Sequence, residues 1–327
     1  MTVLVTGATS LFGRTIVDQL VERGEEVSVF QRQPSGLDVT EHLGDVADTE
    51  ACVRAMRGVE AVIHVAGLAS VTGEWERFEA TNVVGTRNVV AAAREAGVSR
   101  FVEISSPSVA HAGQSLVGAS AGPADPEGAR GHYARSKAMA ELIALEANSP
   151  DMAVVVLRPH LIWGPGDAQL IGRIVDRARE GRLAIVGTGA ALIDTTYIDN
   201  AAEATVAALD RAPQLAGRVF VVTNGQPRTV KELINRIVMA AGLEPPSLKV
   251  PYQAARAGGH MVERIWERRS TQSEPPLTGF LAEQLGTAHW FDQRETREAL
   301  EWAPRIGLTE GFGRLADWFD VQPPASL

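Results

Sequence analysis

The chain has 327 residues, 45% hydrophobic and 22% charged, which suits about two globular domains and excludes a disordered or fibrous protein. Its net charge of -9 disfavours binding to nucleic acid or to an anionic membrane surface. Cys52 is the single cysteine, so no disulfide can form within the chain, and no apolar run reaches the ~18 residues that span a bilayer. We therefore expect a cytoplasmic protein without a signal peptide or an integral membrane segment.

Apolar segments rich in β-branched residues alternate with segments of helical periodicity through the first half of the chain. Helices are predicted from Phe12, over Trp75–Ala96 and over Tyr133–Ala147. The alternation predicts an α/β fold with a Rossmann-type doubly wound parallel sheet, covered by helices on both faces. The predicted strands are Val3–Thr6, Glu26–Phe30, Val39–Leu43, Ala61–Val65, Arg100–Ile104 and Ala153–Leu157.

The pattern changes after Pro159, where proline-rich and glycine-rich turns separate shorter helices and strands. The strand-and-helix pattern of the first half returns briefly before the chain becomes mostly helical. We therefore expect a larger domain of residues 1–160 and 194–225, and a smaller, mostly helical domain of residues 161–193 and 226–327.

Two segments outside this alternation have a composition of their own. His111–Gly131 is rich in glycine, alanine and proline and predicts a long surface loop. Val250–Ser273 is mildly amphipathic and predicts a helix. Because its polar face mixes acids with bases, we expect this helix to cover a cleft rather than to lie on a membrane.

A glycine-containing turn, Thr6-Gly-Ala-Thr-Ser-Leu-Phe-Gly13, joins the first strand to the first helix. Glycine there lets the backbone approach a pyrophosphate, whose charge is stabilised by the helix N-terminus. Ser10 replaces the middle glycine of the dinucleotide-binding pattern, and its hydroxyl can itself donate to phosphate. The alternative, an ordinary βα turn, is disfavoured by the position of the segment at the start of a βαβ unit. The expected dinucleotide contacts here are Gly7, Thr9, Ser10, Leu11, Phe12 and Gly13.

The residues at the end of the second predicted strand indicate which nicotinamide dinucleotide the chain prefers. Where NAD-binding folds place an acid that accepts from the ribose hydroxyl, this chain has Gln31 and Arg32. Because a cation pairs with a 2′-phosphate, we predict NADP(H) in preference to NAD(H), which stays possible; the alternative is that Arg32 is a solvated loop residue. Further contacts are expected after the third and fourth strands, from Asp45, Val46, Val65, Ala66 and Gly67.

Tyr133 and Lys137 lie four residues apart in a predicted helix and therefore share one face. The chain has three tyrosines and three lysines, so this spacing is expected by chance only about 0.03 times. A neighbouring ammonium favours the phenolate, which lets a phenol donate its proton to the alkoxide formed when a ketone is reduced. Ser106, at the end of the fifth strand, can orient the substrate oxygen. The alternative is a surface Tyr–Lys pair without a catalytic role.

These motifs together resemble the extended short-chain dehydrogenases/reductases, over nearly the whole chain. The resemblance implies hydride transfer at C4 of the nicotinamide, with Tyr133 as acid/base and Ser106 as the residue that orients the substrate. It implies that Lys137 is the electrostatic partner of Tyr133 and also binds the nicotinamide ribose. Beyond the positions above, the resemblance adds Asn82, Pro159, His160 and Leu161, together with Tyr133 and Lys137 themselves, to the expected cofactor contacts. No metal ligands are expected.

Two stretches, Leu157–Asp167 and Leu192–Asn200, are similar to the 3β-hydroxysteroid dehydrogenase-like branch and to bacterial 2-alkyl-3-oxoalkanoate reductases of olefin biosynthesis. This similarity implies a secondary alcohol and a ketone on a large apolar substrate, such as a 3β-hydroxysteroid or a 2-alkyl-3-oxoalkanoate. The resemblance also makes a homodimer possible, through the helices predicted over Trp75–Ala96 and Tyr133–Ala147.

Two alternative functions remain open on the same fold. A nucleotide-sugar epimerase or dehydratase is disfavoured because Leu161 stands where sugar-nucleotide enzymes commonly have asparagine. A non-catalytic NADP(H)-sensing protein needs no proton donor, so the presence of Ser106, Tyr133 and Lys137 together argues against it.

Overall fold

The computed structural model describes residues 1–70, 73–110, 113–267 and 279–321. The strands within these ranges are β1 (Thr2–Thr6), β2 (Glu26–Gln31), β3 (Thr40–Leu43), β4 (Ala61–His64), β5 (Arg100–Ile104), β6 (Leu116–Ala119), β7 (Ala153–Pro159), β8 (Ile162–Trp163), β9 (Ile185–Val186), β10 (Leu192–Ile193), β11 (Thr196–Tyr197), β12 (Val219–Val222), β13 (Arg228–Thr229), β14 (Lys249–Val250) and β15 (His289–Phe291). The helices are α1 (Leu11–Glu22), α2 (Thr49–Ala55), α3 (Trp75–Phe78), α4 (Gly85–Glu95), α5 (Gly131–Glu146), α6 (Arg173–Arg179), α7 (Ile198–Asp210), α8 (Val230–Ala240), α9 (Tyr252–Glu267), α10 (Gly279–Gly286), α11 (Arg294–Leu300) and α12 (Leu308–Val321).

Seven parallel strands form the central sheet, in the order β12-β7-β5-β4-β1-β2-β3. Alternate residues of β1 point to opposite faces, so Val3 and Val5 pack into one hydrophobic core and Leu4 into another. Helices α1 and α7 cover the first face, and α2, α4 and α5 cover the second. The predicted α/β fold with a doubly wound parallel sheet is confirmed. The strand order reverses at β1, and such folds bind ligands at the carboxyl ends of the strands beside the reversal.

The helix predicted over Trp75–Ala96 is not one regular helix. A π-helical segment, Glu79–Val84, separates α3 from α4. A π-helical turn holds more residues than an α-helical turn, so the faces of α3 and α4 are out of register with each other. Segments of this kind are frequent at functional sites, and this one contains Asn82.

The segment predicted as the surface loop His111–Gly131 contains a strand, which corrects that prediction. Its strand, β6, pairs in parallel with β15 in a four-stranded sheet of order β13-β10-β15-β6. Val117 is the one residue of β6 with a strong strand propensity, and the partner strand comes from residues 289–291, far along the chain. Two residues of the predicted loop, His111 and Ala112, lie outside the described ranges.

The helix predicted over Val250–Ser273 is present as α9, although Val250 itself belongs to β14 and residues 268–273 lie outside the described ranges. α9 packs against α10, and the two share a small apolar cluster with β9. Within the part of the chain that the structure describes, no helix combines the length and the apolar character needed to cross a membrane. The boundaries of the two domains, and the role of α9 as a cover, remain predictions.

Candidate active site

The turn between β1 and α1 brings the backbone of two glycines close to other backbone atoms. Gly7 has φ of 75°, and a Cβ there would lie 2.8 Å from the amide nitrogen of Ala66. A Cβ on Gly13 would lie 2.5 Å from the carbonyl oxygen of Gly7. The turn therefore requires glycine at both positions, and it leads directly into the N-terminus of α1. This arrangement fits the pyrophosphate of a dinucleotide.

Ser10 forms the N-cap of α1. Its Oγ accepts from the amide of Gly13 at 3.0 Å and donates to the carbonyl of Gly7 at 2.8 Å. Its φ is −74°, so the replaced middle glycine is not needed for a left-handed backbone here. The hydroxyl proton is used within the turn, so the expected donation to phosphate requires Ser10 Oγ to give up its bond to Gly7.

Two arginines lie near the loop that follows β2, at the position where the sequence predicts the 2′-phosphate. Arg32 is exposed, whereas Gln31 is buried and donates from Nε2 to Glu41 Oε1 at 2.8 Å. Arg14 Nη2 donates to the carbonyl of Ser35 in this loop at 2.6 Å. Gln31 thus has a structural partner, and Arg14 is a candidate cofactor residue that the sequence analysis missed. Its position directly after Gly13, on the first turn of α1, was the available signal.

Asp45 and Val46 lie in the turn between β3 and α2. Asp45 Oδ1 accepts from the amide of Ala47 at 2.9 Å and so caps the turn. Val46 is buried against Gly85, where a Cβ would lie 2.5 Å from the Val46 side chain. The structure shows Asp45 as the cap of its own turn, and its expected contact with the cofactor remains a prediction.

The loop after β4, Val65–Gly67, is fixed by Thr6 and a buried histidine. Thr6 Oγ1 accepts from the amides of Val65 and Ala66 at 3.1 and 3.0 Å, and it shares a 2.8 Å hydrogen bond with Nδ1 of His64. Burial, together with the charge of Lys137, lowers the pKa of His64 to about 3. His64 is therefore neutral at working pH and serves to hold this loop in place.

Asn82 connects the same loop to the predicted catalytic helix. Its Oδ1 accepts from the amide of Leu68 at 2.7 Å, and its Nδ2 donates to Ser136 Oγ at 2.9 Å. Ser136 precedes Lys137 in α5. The side chain of Asn82 is thus occupied by protein partners, and its expected contribution to cofactor binding is to set the distance between β4 and α5.

Tyr133 and Lys137 lie on the first two turns of α5, one helical turn apart. Tyr133 is half-buried, whereas Lys137 is 5% exposed and donates from Nζ to Glu103 Oε1 at 2.8 Å. Burial alone would lower the pKa of Lys137, but the negative charge of Glu103, followed by that of a Tyr133 phenolate, outweighs it and raises that pKa. The structure therefore brings the predicted acid/base and its predicted cation together, and it adds Glu103, which the sequence analysis missed.

The two serines that follow β5 have different environments. Ser105 is buried and donates to Glu141 Oε2 at 2.6 Å. Ser106 is half-buried and shares a 2.9 Å hydrogen bond with Ser108 Oγ. Because the hydroxyl of Ser105 is bound within the core, Ser106 is the member of the pair that can reach a substrate oxygen.

Leu161 has an unusual backbone for its residue type. It follows Pro159 and His160 at the carboxyl end of β7, has φ of 46° and is 40% exposed. His160 is buried, with Nδ1 at 2.6 Å from the carbonyl of Asp194. A left-handed leucine is rare and strained, and residues held in this way cluster at binding sites.

A buried ion pair lies behind the site. Arg158 on β7 donates from Nε and Nη2 to the carboxylate of Glu141 on α5, at 2.8 and 2.5 Å, and each side chain is 1% exposed. Arg158 Nη1 also donates to the carbonyls of Ala121 and Gly122, in the segment between β6 and α5. This network ties the catalytic helix to the sheet.

The chain is similar to known proteins over most of its length. A model of the 3-beta hydroxysteroid dehydrogenase/isomerase family matches residues 4–252. The chain belongs to this family. It is accordingly an NAD(P)-dependent oxidoreductase, and the predicted resemblance to the extended short-chain dehydrogenases/reductases is confirmed.

Two known proteins are similar to this chain over nearly its whole length. The 2-alkyl-3-oxoalkanoate reductase of Stenotrophomonas maltophilia (strain K279a) is 40% identical over 324 residues, covering 96% of this chain and 98% of its own. The enzyme of the same name from Shewanella oneidensis is 36% identical and covers 95% of this chain and 84% of its own. Among solved structures, MoeE5 in complex with UDP-glucose and NAD has a TM-score of 0.76 at 23% identity, covering 99% of this chain and 100% of its own. That likeness concerns the fold.

Proposed function

We propose that this family member interconverts a secondary alcohol and a ketone on a large apolar substrate of the 2-alkyl-3-oxoalkanoate or 3β-hydroxysteroid type, with NADP(H) as its preferred cofactor. The observation that carries the proposal is the placement of Tyr133 beside the charged, buried Lys137. The two relatives named 2-alkyl-3-oxoalkanoate reductase favour the first substrate type.

The proposed mechanism assigns one role to each side chain of the site. When bound, the nicotinamide supplies or accepts a hydride at C4. In ketone reduction, the Tyr133 hydroxyl donates its proton to the alkoxide oxygen, and in alcohol oxidation the phenolate takes that proton back. The Lys137 ammonium stabilises the phenolate, and two of its three N–H donors remain for the ribose after the bond to Glu103. Ser106 orients the substrate oxygen.

The NADP preference is tested at Arg32. Replacement by aspartate should weaken NADPH binding by roughly tenfold or more, because it exchanges a cation for an anion beside the 2′-phosphate. NADH binding should improve, since a carboxylate can accept from the ribose hydroxyl. Fluorescence titration of both reduced cofactors measures the effect. Arg57→Asp, an exposed change after α2, is the matched control and should leave the preference unaltered. An unaltered preference in Arg32→Asp would assign Arg32 to the solvated loop.

The apolar substrate is tested at Leu161. Asparagine tolerates the left-handed backbone, so Leu161→Asn should raise the free energy of unfolding by about 1 kcal/mol. The same change should lower kcat/KM for an apolar ketone by about tenfold or more, because it removes an apolar contact. Leu161→Ala keeps the backbone strain and removes the side chain, so it should lose activity without gaining stability. A normal kcat/KM in Leu161→Asn would mean that Leu161 does not contact the substrate.

The nucleotide-sugar alternative is supported by the fold of MoeE5, whose solved complex holds UDP-glucose. A substrate panel decides between the two: purified protein and NADPH with a β-keto acid, a 3-ketosteroid and a set of UDP-sugars. We expect oxidation of NADPH with one of the apolar ketones. Conversion of the sugar nucleotides alone would overturn the apolar proposal, and cofactor binding without conversion of any compound would place the substrate outside all of these classes.

A further inference from the structure

Two buried carboxylates, Glu103 and Glu141, lie near the lysine of the site, but their partners differ. Glu141 accepts from Ser105 and pairs with Arg158, so both of its oxygens are used within the core. Glu103 is 0% exposed, and its hydrogen bond is the one from Lys137 Nζ to Oε1. Its Oε2 is buried without a hydrogen-bond partner in the described ranges. Glu103 therefore lacks the structural network that holds Glu141.

The position of Glu103 on β5 explains how it reaches the lysine. It follows Phe101 by two residues and so points to the same face of the sheet, the face covered by α4 and α5. α5 crosses this face and presents Lys137 one turn after Tyr133. The Glu103 carboxylate therefore contacts the Lys137 ammonium from the side of the sheet, away from the solvent.

We propose that Glu103 is a positioning residue for the reaction: its buried carboxylate fixes the Lys137 ammonium beside Tyr133 and keeps it charged. This inference rests on the roles proposed above for Tyr133 and Lys137. Glu103 does not contact the reacting atoms and acts through the lysine.

Glu103 is the counterion of Lys137: burial raises the pKa of its carboxyl, and the charge and hydrogen bond of Lys137 act against that rise. Burial keeps His64 on β4 neutral at working pH, with a pKa of about 3. Glu141, on α5 itself, is already paired with Arg158 of β7. Tyr133 is negative only as the phenolate that the reaction forms. Burial lowers the pKa of Lys137, and the charge of Glu103 is the largest of the contributions that raise it.

The test uses Glu103→Gln, which preserves shape and an acceptor oxygen but removes the charge. The chain has three lysines, so 15N-lysine NMR of the full-length protein gives few amino signals, and Lys137→Met assigns the buried one. We expect Lys137 to lose its proton at a pH lower by about 1 unit or more in Glu103→Gln than in the wild type. The signals of Lys231 and Lys249 are internal references. Glu103→Asp, which restores the charge, should bring the titration most of the way back.

A second readout follows turnover. Alcohol oxidation requires the phenolate, which a neutral lysine does not stabilise, so its rate with a 2-alkyl-3-hydroxyalkanoate and NADP⁺ should set in at higher pH in Glu103→Gln. Glu146→Gln, an exposed change at the end of α5, is the matched control and should leave the profile unaltered. An equal or lower onset in Glu103→Gln would overturn the proposal, as would an unaltered Lys137 titration.

The NMR titration separates this inference from the proposed function, because it needs no substrate. A protein without oxidoreductase activity would refute the proposed function and still report whether Glu103 keeps Lys137 charged. If Glu103→Gln does not fold, the wild type decides: Lys137 titrating above the value of about 10.4 for a free lysine supports the proposal, and titrating below it overturns it.

Discussion

Tyr133→Phe should reduce kcat for ketone reduction by roughly 10²-fold or more, the contribution of one general acid. The phenol is the group placed beside Lys137, and phenylalanine keeps its ring but has no proton to give. NADPH affinity should stay near the wild-type value, because the glycine turn at Gly7 and Gly13 is untouched. Stopped-flow kinetics under single-turnover conditions and a cofactor titration measure the two quantities.

The control for this change is another of the three tyrosines. Tyr197 is 1% exposed, packs edge-on against Trp163 and interacts with Arg314. Tyr197→Phe should therefore retain normal kcat. Near-normal turnover in Tyr133→Phe would remove the acid/base role from that residue and with it the proposed mechanism.

The largest expected loss of stability follows from Arg158→Met. This change leaves the carboxylate of Glu141 buried without its cation, and breaking a buried pair from one side costs about 3–5 kcal/mol. The free energy of unfolding from urea titration measures the loss. The added release of the carbonyls of Ala121 and Gly122 acts in the same direction.

Two further variants distinguish a pair effect from a general effect of removing arginine. Arg87→Met, an exposed change on α4, should alter the free energy of unfolding by no more than about 0.5 kcal/mol. The double variant Arg158→Met/Glu141→Leu removes both charges and should recover much of the lost stability. A loss below about 1 kcal/mol in Arg158→Met would mean that water solvates Glu141 in the folded protein.

Much of the fold could be predicted from local pattern. The strands of the central sheet are apolar and β-branched because helices cover both of their faces, and this leaves a clear signal in the sequence. The pairing of Tyr133 with Lys137 was equally accessible, since helical spacing alone puts them on one face. Both signals are contained within a few consecutive residues.

What could not be predicted depends on contacts between distant segments. Glu103 and Arg158 are charged residues in mostly apolar strands, and no residue near them in the sequence indicates that Lys137 or Glu141 is the partner. Strand β6 forms because β15 lies beside it, despite its weak propensity. The left-handed backbone of Leu161 is set by the turn from β7 to β8, against the preference of its own side chain.

Arg158 joins α5 to the segment that lies between β6 and α5. One end of its guanidinium holds α5 through Glu141, and the other holds the segment of Ala121 and Gly122, which leads from the small sheet back to that helix. If the proposed substrate binds against this segment, a bulky acyl chain that displaces it would also shift α5, which carries the proposed proton donor Tyr133. Selectivity for chain length should consequently be expressed in the turnover number as well as in the Michaelis constant.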